Sequence, residues 1–321
     1  MKAGRSFWIA LTTAVVATLL LAPLFGMKFI PFLAEGTDRD ILLNLRIPRV
    51  LCAFLAGAML SLAGASFQAL FRNPLATPFT LGVSGGAALG ATLFIRFGAA
   101  LAVFGFAGLS LSAFAGALAA TAVVYGLTRL RGGFSAATLL LAGIAMSFFF
   151  SGLILLLQYT GGLARSFRIM QWMAGSLAAA DWHRAGALLP ALLLGAATLL
   201  FLTRELDLLL TGDDLAQSRG VAVGRIKKRI FFVSSLMIGV TVAAFGPIGF
   251  VGMMAPHICR LMVGAGHRRL LPASLLFGGL FLAVCDTLAR TLFAPAELPV
   301  GILTALLGGP FFLWLLLGRR C

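Results

Sequence analysis

The chain has 321 residues, of which 60% are hydrophobic and only 11% are charged, and its mean hydropathy is +1.04. A soluble domain carries roughly 25% charged residues, so this chain has too few to cover a water-facing surface of its own size. The composition excludes soluble enzyme folds and predicts an all-α polytopic membrane protein.

Apolar runs between charged residues predict the membrane spans. A helix that crosses the hydrocarbon core needs about 20 apolar residues, and charges at mid-bilayer are costly. Ten spans are predicted within a single transmembrane domain, 1–321, at residues 7–27, 50–71, 80–95, 101–129, 136–158, 186–202, 230–245, 250–263, 271–292 and 299–317. The uncharged interval 230–259 is too long for one span, and Gly246-Pro247-Ile248-Gly249 divides it into two helices.

The first apolar run has two interpretations. Lys2 and Arg5 precede it, as in the basic region of a signal peptide. Its apolar stretch of about 20 residues is longer than the roughly 7–15 of a signal peptide, and no A-x-A cleavage site follows. These features favour a retained first span.

The basic residues predict the orientation. The net charge is +15, which basic loops on the cytoplasmic side of a membrane explain without a nucleic acid partner. With ten spans and the N-terminus inside, 16 of the 25 Lys and Arg residues fall on the cytoplasmic side. This bias predicts that both termini are cytoplasmic.

The chain also contains a repeated spacing pattern, which we call the sequence echo. Two glycines and a proline recur at the same spacing, as Gly57, Gly64 and Pro74 and again as Gly239, Gly246 and Pro256. Many transporters are built from inverted repeats. The echo suggests such a repeat, although chance matches are expected in a chain with 38 glycines.

No catalytic, cofactor or metal motif is present. His183, His257 and His267 are far apart in sequence, and nothing resembles HExxH or a phosphate-binding GxxxxGK[ST] loop. The four cysteines have no CxxC spacing and are interpreted as packing residues. We therefore expect neither a catalytic site nor a metal site in this chain.

Three segments go beyond a simple helix bundle, and each leaves two interpretations open. Residues 71–90 combine two prolines with several glycines, which predicts a broken helix that presses on a neighbour, or an ordinary turn. Residues 204–229 form a hydrophilic loop in which Asp213 and Asp214 suit a helix start and Gly220 its end. That short helix would dock a soluble partner, or the segment is a solvated loop.

The third segment is a set of outer-side arginines without an acidic neighbour in helical register: Arg46, Arg49 and Arg290. They are either anchors that snorkel to the interface or contacts for carboxylates of an extracellular partner.

These segments belong to a longer series of ordered blocks: Arg46-Ile47-Pro48-Arg49, Asn73-Pro74-Leu75-Ala76, Leu140-Leu141-Ala142-Gly143, Trp172-Met173-Ala174-Gly175-Ser176-Leu177, residues 212–221, Gly246-Pro247-Ile248-Gly249-Phe250-Val251-Gly252 with Pro256-His257, Asp286 to Arg290, and Glu297-Leu298-Pro299-Val300-Gly301-Ile302-Leu303-Thr304. Over nearly the whole chain they resemble the FecCD family, the permeases of type II ABC importers for iron–siderophore complexes, haem and vitamin B12.

The resemblance implies a BtuC-like permease fold with ten spans and inverted repeats. It implies two permease subunits, identical or different, and two separate ATP-binding cassette subunits that hold ATP and Mg²⁺, so this chain carries no cofactor of its own. A soluble or lipid-anchored binding protein would deliver the cargo. The complex would lie in the cytoplasmic (inner) membrane of a prokaryote, in contact with lipid and without nucleic acid.

The resemblance also implies roles for residues. Arg46, Arg49 and Arg290 match arginines that pair with glutamates of the binding protein. The coupling segment, which inserts into the ATPase, matches Asp213, Asp214, Leu215, Ala216, Ser218, Arg219 and Gly220. A vitamin B12 permease of this family narrows its cytoplasmic gate with small hydroxyl residues. The corresponding stretch here is Ser135-Ala136-Ala137, where the two alanines put a gate of hydroxyl pairs in doubt and leave a steric gate of small residues. A weakly interacting pathway lining is expected from Gln68, Met146, Ser147 and Ser151.

Two other classes of membrane protein are alternatives to an importer permease. An ion-coupled secondary transporter would need carboxylates or histidines buried in mid-span, and the single candidate is Asp286, near Arg290. A membrane-embedded enzyme would need clustered catalytic groups, which the sequence lacks. Within the importer interpretation the cargo stays open, with a ferric siderophore ahead of haem, cobalamin and other metal chelates.

Overall fold

The computed structural model describes residues 4–74, 76–77, 81–98, 105–130 and 135–318. Throughout these ranges the chain consists of helices and short connections, without a β-strand. The helices are α1 (Arg5–Leu21), α2 (Thr37–Ile41), α3 (Ile47–Leu70), α4 (Val83–Phe97), α5 (Gly105–Leu130), α6 (Ala136–Tyr159), α7 (Leu163–Met173), α8 (Trp182–Phe201), α9 (Thr203–Leu210), α10 (Asp213–Ser218), α11 (Val223–Phe245), α12 (Val251–Val263), α13 (His267–Thr291) and α14 (Val300–Gly318).

The predicted all-α membrane fold is confirmed. Among the described residues, seven helical segments are long and apolar enough to cross a membrane, and three shorter apolar helices accompany them at Val83–Phe97, Val251–Val263 and Val300–Leu315. Each predicted span corresponds to one of these segments. Five π-helical residues, Leu42–Arg46, join α2 to α3 without a break, so the second span begins earlier than expected.

The seventh span also begins earlier than the predicted residue 230. Helix α11 starts at Val223, and its first turns contain Lys227 and Lys228. Charges marked the predicted boundary, but the helix contains them, and one of the two lysines, Lys227, is buried and paired with Asp213. The predicted division of the uncharged interval is confirmed, since α11 ends at Phe245 and α12 begins at Val251.

Helix α3 is the centre of the bundle. It is buried along almost its whole length and packs against α13, α11, α12 and α8. Gly64 lies so close to the backbone carbonyl of Gly252 in α12 that a Cβ atom has no room there. In a membrane the helices gain little from hydrophobic association, and close backbone approach at small residues holds them together.

The sequence echo does not reflect equivalent positions. Gly64 lies in the interior of α3, whereas Gly246 follows the last residue of α11 with a φ of +74°. Pro74 lies in the turn after α3, and Pro256 lies inside α12. The spacing match therefore does not by itself identify a repeat.

Helix α1 is an integral part of the bundle. Its first residues, Phe7 and Trp8, pack against a buried cluster that includes Cys259 and Leu270. At its other end the carbonyl of Ala22 accepts a hydrogen bond from Arg290 in α13. These contacts support a retained first span.

Candidate docking and coupling sites

Arg49 links α3 to α13 at the outer end predicted for the chain. Its Nε lies 2.9 Å from Oδ2 of Asp286 and its Nη2 donates to Oδ1 of the same carboxylate at 3.1 Å. Its Nη1 donates to Oε2 of Glu297 at 2.8 Å. The Asp286 side chain is 1% exposed and that of Glu297 is 51% exposed. One guanidinium thus holds a buried carboxylate with two donors and an exposed carboxylate with a third.

The other two predicted docking arginines donate to backbone carbonyls. Arg46 Nη1 donates to Leu24 at 3.0 Å and Nη2 to Lys28 at 2.9 Å. Arg290 is buried, and its Nη2 donates to the carbonyl of Ala22 at 2.7 Å. The carboxylate of Asp38 acts electrostatically on Arg46, and that of Asp286 acts on Arg290.

The structure brings the three predicted arginines together. Arg46 and Arg49 are close enough to act electrostatically on Arg290. The expectation that they have no acidic neighbour is wrong. Asp286 is one helical turn from Arg290 in α13, but its hydrogen-bonded partner is Arg49, 237 residues away in sequence. Helical register cannot show a pair between two helices. The docking role of these arginines stays a prediction.

The predicted coupling segment lies at the end of the helix bundle opposite to Arg49. It forms helix α10, Asp213–Ser218. Glycines with positive φ flank it, Gly212 at +118° and Gly220 at +82°, which L side chains rarely adopt. The segment exposes most of its side chains and buries Ala216. The predicted helix and its glycine stop are confirmed, and its role in coupling stays a prediction.

Asp213 anchors α10 to α11. Its Oδ2 lies 2.5 Å from Nζ of Lys227, whose side chain is almost fully buried. Asp213 lies in the first turn of α10, as the sequence predicted. Its carboxylate also neutralises a lysine that would otherwise be buried without a counter-charge, which is costly.

Helix α9, which the sequence did not predict, carries a second anchor. Asp207 Oδ1 lies 2.6 Å from Nδ1 of His267 and accepts a hydrogen bond from its backbone N–H at 2.9 Å. His267 is the first residue of α13 and is buried. A cavity of about 280 Å³ lies beside this region and is lined in part by Arg204, Glu205 and Arg219.

The regions predicted for docking and for coupling lie near opposite ends of α13. His267 begins the helix and Asp286 lies 19 residues later, a distance of about 28 Å at 1.5 Å per residue. This single helix therefore carries one hydrogen-bonded acid–base pair at each end.

The predicted pathway residues fall in two separate environments. Gln68 is buried in α3, where its Oε1 accepts a hydrogen bond from Arg260 Nη2 at 2.7 Å and its Nε2 faces the carbonyl of Met253 at 3.5 Å. Met146 and Ser147 are half-buried beside Gly82, and Ser151 is exposed on the same helix, α6. Gln68 is thus engaged within the chain, and its place in a pathway lining stays a prediction.

The predicted gate lies at the start of α6. Ser135 is the residue before the helix, and its Oγ accepts a hydrogen bond from the N–H of Thr138 at 3.1 Å. Ser135 and Ala137 are exposed and Ala136 is half-buried. The structure explains Ser135 as a helix cap, and the gate stays a prediction.

The turn between α3 and α4 contains the predicted helix break. Helix α3 ends at Leu70, and Arg72 has a φ of +50°. Within this segment, residues 75 and 78–80 lie outside the described ranges.

Three of the four cysteines, Cys52, Cys259 and Cys285, are buried free thiols, and Cys321 lies outside the described ranges. Over the described residues, no three His, Cys, Asp or Glu side chains gather as they do around a metal ion.

The sequence profile of the FecCD transport family matches residues 7–318. The chain belongs to this family. It is therefore a multi-pass transport permease and not an enzyme.

Several named permeases are similar over most of their length. The hemin transport system permease protein HmuU of Yersinia pestis is 43% identical over 285 residues, which are 87% of this chain and 84% of HmuU. The cobalamin import system permease protein BtuC of Halobacterium salinarum is 41% identical over 98% of this chain and 80% of its own. The iron(3+)-hydroxamate import system permease protein FhuG of Bacillus subtilis is 35% identical over 97% and 93%.

A solved structure has the same fold. It is described as an inward-facing conformation of a metal-chelate type ABC transporter and is 33% identical to this permease. The TM-score is 0.90, with 98% of this chain and 100% of the other covered. The BtuC-like permease fold expected from the sequence is therefore confirmed.

Sequence reasoning missed three functional candidates, Asp207, Lys227 and Glu297, and it also missed the pairing of Asp286 with Arg49. One signal was available for the last of these, because a lone acid in an apolar helix requires a cationic partner. The sequence did not show which of the arginines pairs with Asp286.

Proposed function

We propose that this permease moves a metal chelate across the cytoplasmic membrane of a prokaryote, driven by two separate ATP-binding cassette subunits. A binding protein outside the membrane supplies the cargo. The observation that carries the proposal is the position of two polar sites at the two ends of α13, one beside the exposed helix α10 and one beside the three arginines.

The contacts supply a route for the mechanical coupling. ATP-driven closure of the ATPase dimer moves α10. The Asp213–Lys227 pair passes that movement to α11, and the Asp207–His267 pair passes movement of α9 to α13. Both pairs join a short surface helix to a long helix of the bundle. The two permease halves then tilt, and the pathway opens alternately to each side.

We propose a ferric siderophore as the first cargo to test. Haem and vitamin B12 are the alternatives, because permeases for haem, cobalamin and iron(3+)-hydroxamate are all similar to this chain. The docked binding protein selects the cargo, and the permease pathway interacts with it weakly.

The assembly contains two permease subunits, identical or different, with both termini of each on the cytoplasmic side. The excess of Lys and Arg in the segments predicted to be cytoplasmic supports this orientation. The exposed apolar side of α6, with Phe148 75% and Leu141 62% exposed, requires either a second subunit or lipid.

A secondary transporter is disfavoured by the surroundings of Asp286. An ion or proton site needs a carboxylate that can release its present partner. Asp286 is buried and receives two donors from one guanidinium, which is a strong and geometrically specific arrangement.

The test is reconstitution in liposomes of the permease with the ATPase and binding protein encoded beside it. Haemin, cobalamin, a ferric hydroxamate and ferric dicitrate are offered in turn. We expect one loaded binding protein to stimulate ATP hydrolysis and uptake together, and an ATPase variant without hydrolysis to abolish uptake. Uptake driven by an ion gradient without any ATPase would overturn the proposal.

A further inference from the structure

We propose that Glu297 occupies the position on Arg49 that an acidic residue of the binding protein takes on docking, and that docking displaces Glu297. The inference rests on the proposed function. It concerns a residue without a predicted role, and it defines Glu297 as an internal competitor of the docking partner.

The two carboxylates on Arg49 differ in how easily they can leave. Asp286 is 1% exposed and is held by Nε and Nη2. Glu297 is 51% exposed and is held by Nη1 alone, at 2.8 Å. A buried carboxylate cannot release its guanidinium without being left uncompensated, whereas an exposed one is solvated by water at once. Asp286 is therefore the permanent anchor, and Glu297 is the exchangeable partner.

Exchange keeps the guanidinium of Arg49 paired with two carboxylates. The Arg49 side chain is 12% exposed, so a third carboxylate has little space to approach while Glu297 remains. An incoming carboxylate that replaces Glu297 restores the Nη1 hydrogen bond and the local charge. Meanwhile the Asp286 contact holds the guanidinium in the same orientation, as preorganised binding requires.

The surrounding charge favours an acidic partner. Arg46 and Arg290 donate to backbone carbonyls, and three carboxylates, Asp38, Asp286 and Glu297, act on the three guanidinium groups. Once Glu297 leaves, the guanidinium of Arg49 attracts a negatively charged group of the partner. With Glu297 in place, one of the arginines is already occupied by this chain.

The position of Glu297 gives its release a structural consequence. It lies in the connection between α13 and α14, three residues before Val300, the first residue of α14. The next residue, Leu298, donates its backbone N–H to the carbonyl of Ala289 at 3.2 Å. Displacing Glu297 removes a side-chain anchor close to the start of α14.

The experiment measures the affinity of the binding protein for the permease–ATPase complex in lipid nanodiscs. Glu297→Gln removes the competing charge and keeps the shape, so we expect the binding protein to dock about two- to fivefold more tightly, as for loss of one exposed ion pair. Glu35→Gln is the control, because Glu35 is also an exposed acid and lies in the segment between α1 and α2.

A second background separates competition from general charge. Arg49→Lys keeps a cation for Asp286, but a single ammonium group lacks the fork that holds two carboxylates. We expect Glu297→Gln to have no effect on affinity in that background. If Arg49→Lys prevents binding altogether, the comparison of Glu297→Gln with Glu35→Gln decides the question by itself.

The inference is overturned if Glu297→Gln weakens docking, leaves it unchanged, or tightens it no more than Glu35→Gln does. It is also overturned if the tightening persists in the Arg49→Lys background. These outcomes differ from failure of the proposed function, in which the unaltered complex neither binds the binding protein nor responds to it with ATP hydrolysis.

Discussion

Lys227 and Asp213 form an ion pair that is buried on one side only. Their side-chain atoms Nζ and Oδ2 lie 2.5 Å apart, yet the lysine side chain is 3% exposed and the aspartate side chain is 37% exposed. Water can therefore solvate one member of the pair and not the other. This asymmetry makes the two halves of the pair unequal in their effect on stability.

Asp213→Asn should destabilise the permease more than Lys227→Met. Removing the carboxylate leaves a buried ammonium without a counter-charge, at a cost of about 2 kcal/mol or more. Removing the lysine leaves an aspartate that water reaches, at a cost of about 1 kcal/mol or less. Thermal unfolding of the two variants in the same detergent gives the comparison. The opposite ranking would show that the anchor between α10 and α11 depends on packing of the lysine stem.

Asp286→Asn should be the more damaging change at the outer cluster. The buried half of the Arg49 guanidinium loses its counter-charge, which costs about 3–5 kcal/mol in buried pairs. Glu297→Gln should cost about 0–1 kcal/mol, because half of that side chain is in water. The yield of monodisperse protein and the unfolding temperature report both effects. Equal losses from the two changes would contradict the assignment of Asp286 as the permanent anchor.

Gly64→Ala should prevent normal packing of α3 against α12. A Cβ at this position collides with the backbone carbonyl of Gly252, which cannot move aside as a flexible side chain can. Overpacking of this kind costs about 1–3 kcal/mol or more. Gly152→Ala is the matched control in helix α6, where a Cβ meets nothing within 4 Å, and we expect it to be neutral or slightly stabilising. Size-exclusion profiles after heating distinguish the two variants.

Leu215→Ser should weaken association with the ATPase without unfolding the permease. Leu215 is 56% exposed on α10, where an apolar side chain has little value to the isolated chain and suits a partner's pocket. We expect at least about a fivefold loss of co-purified ATPase, as for a side chain at the centre of an interface. Leu163→Ser is the control, since Leu163 is 93% exposed on α7. An equal loss in both variants would argue against α10 as the coupling helix.

The sequence predicted α10 for a local reason. Two acids at its start and a glycine after its end are signals that act within a few residues, and the helix forms at Asp213–Ser218. The partner of Asp213 could not be predicted in this way. Several basic residues follow the loop, and only the packing of α11 decides that Lys227 is the one turned inward.

The hydrogen-bond partner of Gln68 shows the same limit. A buried amide must find donors and acceptors wherever it lies, and in the bundle Gln68 accepts a hydrogen bond from Arg260 of α12. The sequence could not show this partner, because the two residues meet only when α3 packs against α12. Whether Gln68 also lines the pathway stays a prediction.

The sequence by itself determined that the chain lies in a membrane. It also determined the ten apolar helices, the break at Gly246 and the short helix α10. Hydropathy, charge and turn residues give these features because they act over one helix or one turn. Only the tertiary structure decided which charges meet. Arg49 and Asp286 are 237 residues apart, and their pairing depends on the approach of α3 to α13. The free energy of such a pair depends on burial and geometry, which exist only once the helices have packed.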